Sequence, residues 1–279
     1  VTMQQQAMTA GLAKLHLYLE RWQLIGDGPA FHTASSWLQP VQHRGQPAML
    51  KIAMTAQECL GAQLMVWWQG DGAARVIAQE DDAILLERIA GQQSLSEMAR
   101  NGQDDEASQI ICHVAARFHG HSKPKSPKLP LLSSQFGALE LAAKMHGGIF
   151  VDAASIATKL LAEPQDITLL HGDIHHGNIL NAGPGDWLAI DPKGLIGERG
   201  FDFANIFCNP DFTVATSPGR LTRQADIIAE SAGLDRHRLI SWIVAWAGLS
   251  AAWHLESRSN ADTALTVANI AFNSLHRYD

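Results

Sequence analysis

Cysteine is scarce: Cys59, Cys112 and Cys208 are the only three in 279 residues, far apart and odd in number. They form no CxxC pair and no disulfide framework, which excludes a small disulfide-held fold and sets the expectation of a reducing, cytoplasmic compartment. A basic surplus is also lacking, with 21 Lys and Arg against 28 Asp and Glu and a formal net charge of -7. A general nucleic-acid binder needs a basic surface for phosphates, so no nucleic-acid partner is expected, and the acidic balance suits a cationic small molecule. Long apolar runs are missing too. The segment nearest to one, residues 239–255, carries Ser241, Ser250 and His254 and is too short for a span, so it reads as a buried helix and no membrane partner is expected. The first residues show no basic patch followed by an apolar run, which leads us to expect no signal peptide. Internal repeats and low-complexity tracts are absent, as are the GxxxxGK[ST], GxGxxG and HExxH patterns.

What remains is ordinary globular material, 46% hydrophobic and 18% charged, with 30.3 kDa of chain to build a core. Residues 7–21 read as a helix. Short apolar runs at 37–41 and 47–52 flank His43-Arg44-Gly45-Gln46 and predict a hairpin. A helix follows at 57–68, then strands at 74–79 and 83–87. From Ser94 the periodicity turns helical, with a strong helix at 104–119 whose Ile110, Ile111, Val114, Ala115 and Phe118 share one face. A Pro/Lys-rich loop at 121–130 leads to two helices ending near 162, a β segment at 167–190 and three helices across 221–275. The expected class is α+β and bilobal: a small β-rich lobe at 1–89 and a larger helical lobe at 90–279.

The chemistry concentrates in residues 167–194. Two short runs, 178–181 and 187–190, are joined by Ala182-Gly183-Pro184-Gly185-Asp186, which has hairpin turn chemistry. Closing that hairpin sets Asn178 opposite Asp191, with Asp173 in a tight loop at the same end. Hard oxygen ligands such as Asn178 and Asp191 suit Mg²⁺, and a neighbouring carboxylate, Asp173, can accept the proton of an attacking hydroxyl. That division of labour is the one phosphoryl transfer requires. His171 is expected to hold the loop through backbone hydrogen bonds. A second reading stays open: His171, Asp173, His175 and His176 as ligands of a metal-dependent hydrolase.

A phosphotransferase must also hold ATP from the other lobe. Lys51 at the end of an apolar strand is placed to reach its phosphates, with Glu58 on the following helix as partner. The turn at 33–36, containing Ser35 and Ser36, is expected to cover those phosphates, although it has no glycine. Adenine would meet the backbone around Glu87 and Ile89, where the strand leaves the small lobe.

Spread along the chain are Ser35-Ser36-Trp37, Pro47-Ala48-Met49-Leu50-Lys51, Trp67-Trp68, the loop 171–180, Trp187-Leu188-Ala189-Ile190-Asp191-Pro192, Gly197-Glu198-Arg199 and Phe201-Asp202-Phe203-Ala204-Asn205-Ile206-Phe207. With these the chain resembles the aminoglycoside phosphotransferases, and within them the streptomycin 6-phosphotransferase (aminoglycoside/hydroxyurea antibiotic resistance kinase) family. The resemblance implies a protein-kinase-like fold that uses Mg-ATP to phosphorylate streptomycin at its 6-position, giving resistance. Carried over by position, Asp173 is the catalytic Asp, Asn178 and Asp191 are the Mg²⁺ ligands, Lys51 with Glu58 holds the nucleotide, and Asp202 braces the catalytic loop. Two positions depart from the family pattern, Gly177 and Lys193, and both face the acceptor side. A different hydroxyl acceptor is therefore the alternative.

A guanidinium-bearing acceptor calls for carboxylates and aromatic faces. Trp242, Trp246, Trp253 and Glu256 fall within about 80° of arc on one helix. Most of that stripe suits core packing, and Trp253 and Glu256 at its end are the candidates to border the acceptor. Asp211 is a further candidate acid. Asp104, Asp105 and Glu106 open a helix, where the macrodipole favours acids.

Overall fold

The computed structural model describes residues 3–120 and 125–275, so part of the loop expected at 121–130 lies outside the described residues. The chain runs α1 (Met3–Arg21), β1 (Ile25–Gly26), β2 (Phe31–His32), β3 (Ser36–His43), β4 (Gln46–Ala53), α2 (Ala56–Trp68), β5 (Val76–Glu80) and β6 (Ala83–Glu87). It continues through α3 (Leu95–Arg100), α4 (Asp104–His119), α5 (Gly137–His146), α6 (Ile149–Ala162), β7 (Ile167–Leu170), β8 (Ile179–Gly183), β9 (Asp186–Ala189) and β10 (Leu195–Glu198). The last elements are α7 (Gly200–Ala204), α8 (Phe212–Ala215), α9 (Arg220–Ala232), α10 (Arg236–Glu256) and α11 (Asp262–Leu275).

The first six strands form one antiparallel sheet in the order β1-β3-β4-β6-β5, with β2 also on β3. Arg44 and Gly45 both take positive φ, +52 and +76, as the two-residue turn joining β3 to β4 demands. Ala48, Leu50 and Ile52 on β4 are fully buried against Leu15 and Tyr18 of α1. Because side chains alternate, Met49, Lys51 and Ala53 face the opposite way, into the cleft between the lobes. Strand β4 is an inner strand, so Lys51 does not sit on a solvated sheet edge.

The second lobe gathers around α10, whose residues 239–252 are all buried. It packs on α5, α6, α7, α9 and α11, so no face of it needs to be polar. Among the described residues, no helix is long and apolar enough to cross a membrane.

Several differences from the expected pattern have local causes. Strand β5 starts at Val76 rather than 74, because Ala74 donates its N–H to Ala189 of β9 at 2.9 Å and leaves the sheet. Strand β10, which pairs with β7, and the short helix α8 were not expected; four residues are too few to show a period.

Helix α2 rests on the segment after β9 through Gly61. A Cβ there would stand 1.9 Å from the Pro192 carbonyl oxygen, so only glycine permits this approach. Gly61→Ala should push α2 off Pro192 and cost about 1–3 kcal/mol or more by overpacking. Chemical denaturation checks it, and unchanged stability would mean that the helix yields freely.

Candidate active site

The site is built outward from the end of β7. Gly172 takes φ +82, and a Cβ on it would stand 3.2 Å from Lys193 Cβ. Buried Asp202 holds this turn, accepting the His171 N–H at 2.9 Å and the Gly172 N–H at 2.7 Å, with His119 Nε2 2.8 Å from its Oδ2. His171 is fully buried; its Nε2 donates to the Ile190 carbonyl at 2.9 Å and its Nδ1 accepts the Asp173 N–H at 3.2 Å. Burial pushes its pKa down against the pull of Asp202 and Asp173, which fits the neutral Nε2–H form these bonds require.

Asp173 Oδ1 accepts from Asn205 Nδ2 at 2.8 Å, and Asn209 Nδ2 fixes Asn205 by donating to its Oδ1 at 2.8 Å. Sequence reasoning gave Asn205 no role, although it lies three residues beyond Asp202, one helical turn on. Asn178 Nδ2 donates to the Asp173 carbonyl at 2.9 Å, which leaves its Oδ1 as an acceptor. The Ile190 N–H donates to the Asn178 carbonyl at 2.9 Å, closing the open end of the β8–β9 hairpin and bringing Asp191 beside Asn178. Asp191 stands at φ +61, a conformation held by the packing around it. One amide oxygen and one carboxylate form a donor set that fits a hard cation.

Lys51 joins the lobes: its Nζ contacts both Glu58 Oε2 and Asp191 Oδ1. Burial would raise the Asp191 pKa, but Lys51 and Lys193 hold its carboxyl below the usual range. Above them lies a cavity of about 320 Å³ with apolar walls that include Leu38, Met65, Leu86 and Leu180, and it is lined also by Ser36, Lys51, Glu58, Glu87, Ile89 and Asp191. Ser36 Oγ is buried there without a hydrogen-bond partner among the described residues. Ser35 behaves differently from the expectation. It lies outside this lining and its hydroxyl donates to Glu58 Oε1 at 2.7 Å, so it supports the lysine's partner. The Ser35 and Ser36 N–H groups donate to Thr33 Oγ1 at 3.3 and 3.1 Å, so those two amides are used within the turn. Glu87 and Arg88 donate their N–H groups to the Arg75 and Pro47 carbonyls, so among the described residues Ile89 is the one of these three whose N–H donates to no carbonyl.

Across Asp173 lies a second cavity, of about 450 Å³, lined by Gln57, Asn205, Asn209, Trp246 and Trp253 beside Lys193 and His175. The expected stripe divides along its helix. Trp242 is core, with its Nε1 donating to Glu198 at 2.7 Å, while Trp246 and Trp253 reach the cavity. Glu256 is exposed beyond the lining. Asp211 also lies outside it: its carboxylate caps α8 by accepting the Val214 N–H at 3.1 Å and pairs with Arg100 Nε at 2.7 Å. Among the described lining residues Asp173 is the only carboxylate, so this pocket offers amides and indole faces where acids were expected.

The three loop histidines diverge. His171 serves the backbone, His175 Nδ1 accepts the Gly177 N–H at 3.0 Å, and buried His176 turns away to Asp104, 3.8 Å from Oδ1. Among the described residues no three His, Cys, Asp or Glu are grouped to hold a metal, and the hydrolase reading has no ligand set. Asp104 is more than a helix-opening acid. Its carboxylate takes both Nε and Nη2 of buried Arg220, at 2.7 and 3.0 Å.

A β-rich lobe and a helical lobe meeting over these residues define a phosphotransferase of the protein-kinase-like fold. Residues 21–257 match the model described as aminoglycoside/hydroxyurea antibiotic resistance kinase, and the chain belongs to that family. It is 46% identical over 242 residues to a streptomycin 3''-kinase of Klebsiella pneumoniae, covering 85% of this chain and 91% of that one. It is 32% identical over 268 residues to a streptomycin 6-kinase of Streptomyces griseus, covering 90% and 85%. Among solved structures, an amicoumacin kinase in complex with AMP-PNP, Ca²⁺ and Ami superposes with a TM-score of 0.65 at 15% identity, covering 95% of this chain and 94% of that one.

Proposed function

We propose that the chain is a streptomycin kinase, moving the γ-phosphoryl group of Mg-ATP to a hydroxyl of the antibiotic and so conferring resistance. The observation that carries this reading is that Lys51 and Asp191 line one cavity, Asp173 lines the other beside indole and amide groups, and Lys193 lies within 4 Å of both carboxylates. The nucleotide lobe would end at residue 89. Adenine would lie between the apolar walls and meet the Ile89 backbone, with Lys51 and Ser36 Oγ toward the phosphates.

Asn178 and Asp191 would hold Mg²⁺, which supplies charge neutralisation at the phosphate oxygens. Asn205 fixes one oxygen of Asp173, so the other is presented to the acceptor hydroxyl and takes its proton. Trp253, 37% exposed at the cavity mouth, gives a cationic sugar a face to lie on.

The position phosphorylated follows the 46% relative, so the 3''-hydroxyl is our reading, with the 6-hydroxyl supported by the 32% relative. Incubation with Mg-ATP and streptomycin, followed by phosphorus–proton NMR of the product, distinguishes them. Phosphate coupled to the 3''-proton is the expected result. Coupling at the 6-proton reverses the position, and turnover only with other hydroxyl compounds discards streptomycin.

A further inference from the structure

Lys193 is the one charged side chain in the acceptor cavity whose position the reaction has not yet used. Its Nζ lies 3.6 Å from Asp173 Oδ2, 3.9 Å from Asp191 Oδ2 and 3.7 Å from Glu58 Oε1. All three separations exceed the roughly 2.7–2.9 Å of a charge-assisted hydrogen bond, so the ammonium is gathered by three carboxylates without being locked to any of them. The backbone beneath it is anchored. Its N–H donates to the His171 carbonyl at 2.7 Å, its carbonyl accepts from Gln57 Nε2, and its Cβ lies over Gly172, 3.2 Å from where a Cβ on that residue would stand.

The two active-site lysines flank Asp191. Lys51 lines the nucleotide cavity, Lys193 lines the acceptor cavity, and Asp191 contacts both. A phosphoryl group in transfer must pass between Asp191 on the nucleotide side and Asp173 on the acceptor side. The Lys193 ammonium stands beside that path, within 4 Å of both carboxylates.

We infer that Lys193 is a catalytic residue that binds the transferring phosphoryl group, releasing its loose carboxylate contacts for the equatorial oxygens as charge builds on them. This rests on the kinase reading above. The bond formed is from the acceptor oxygen to phosphorus, the bond broken is from phosphorus to the β,γ-bridging oxygen, the proton goes to Asp173, and Lys193 stays protonated throughout. A positive group aimed at charge that develops only in transfer lowers the barrier more than it tightens ground-state binding.

The test compares Mg-ADP with Mg-ADP plus fluoroaluminate, a planar anionic mimic of the phosphoryl group, by titration calorimetry with streptomycin present. The wild-type protein should prefer the fluoroaluminate complex. Lys193→Met should lose at least tenfold of that preference while keeping its Mg-ADP affinity and melting temperature, and Lys193→Arg should restore part of it. In turnover, kcat of Lys193→Met should fall about 10²–10³-fold, the range for one transition-state donor, with KM for both substrates little changed. An undiminished preference in Lys193→Met overturns the inference and leaves the kinase reading intact. A wild-type protein that binds no Mg-ADP overturns the kinase reading and the inference together.

Discussion

Asp173→Asn should abolish most phosphoryl transfer, lowering kcat by about 10²–10⁴-fold, the contribution of a positioned general base. The substitution is chosen because the amide keeps an oxygen that can still accept from Asn205, as Asp173 Oδ1 does at 2.8 Å. The backbone bonds that shape the loop, Asp173 N–H to His171 Nδ1 and Asn178 Nδ2 to the Asp173 carbonyl, do not involve the side chain. What disappears is the basic oxygen and the negative charge beside Lys193. Mg-ADP affinity and the thermal midpoint should therefore stay near wild type while acceptor-dependent ADP release falls. Loss of no more than tenfold would remove Asp173 from proton transfer and leave it a role in positioning.

The largest expected effect on stability lies elsewhere. Asp104→Ala should cost about 3–5 kcal/mol, because it strands a buried guanidinium. Asp104 is 3% and Arg220 4% exposed, and their bidentate pair ties the start of α4 to the start of α9. Without the carboxylate, Arg220 keeps, among the described residues, only the Phe207 carbonyl at 3.3 Å. His176 also loses its acidic neighbour, and it sits in the loop three residues from Asp173, so activity should fall along with stability.

The same pair has a pH signature. Burial alone would raise the Asp104 pKa, but His176 and Arg220 hold it at about 2, below the ordinary 3.8. A carboxylate whose pKa is depressed by folding stabilises the fold above its unfolded pKa and loses that contribution as pH falls toward the folded value. The gap in denaturation midpoint between wild type and Asp104→Ala should be constant from pH 5 to 8 and should narrow between pH 4 and 2. A gap of under 1 kcal/mol at neutral pH would mean that Arg220 finds solvent or another acid.

Local patterns in the sequence determined more of this protein than their length suggests. The alternation along β4 is enough to send Ala48, Leu50 and Ile52 to the core and Lys51 to the cleft, since a strand has only two faces. The turn residues 182–186 determine a hairpin whose closure brings Asn178 and Asp191 together. The buried character of α10 was legible because its apolar residues occupy every face.

Tertiary structure decided what depended on partners distant in the chain. Asp104 and Asp211 both stand at a helix start, yet one is buried against Arg220 and the other is held near the surface by Arg100. Ser35 and Ser36 are adjacent, and strand geometry turns one hydroxyl to Glu58 and leaves the other in the nucleotide cavity. Trp253 and Glu256 share a helix face, but the cavity ends between them. Lys193 meets Glu58 because α2 rests through Gly61 on Pro192, and Asp173 and Asp191 complete the three carboxylates around it. The physical reason is common to all four: periodicity and turn chemistry act over a few residues, whereas the field at a charged group is set by whichever elements pack against it.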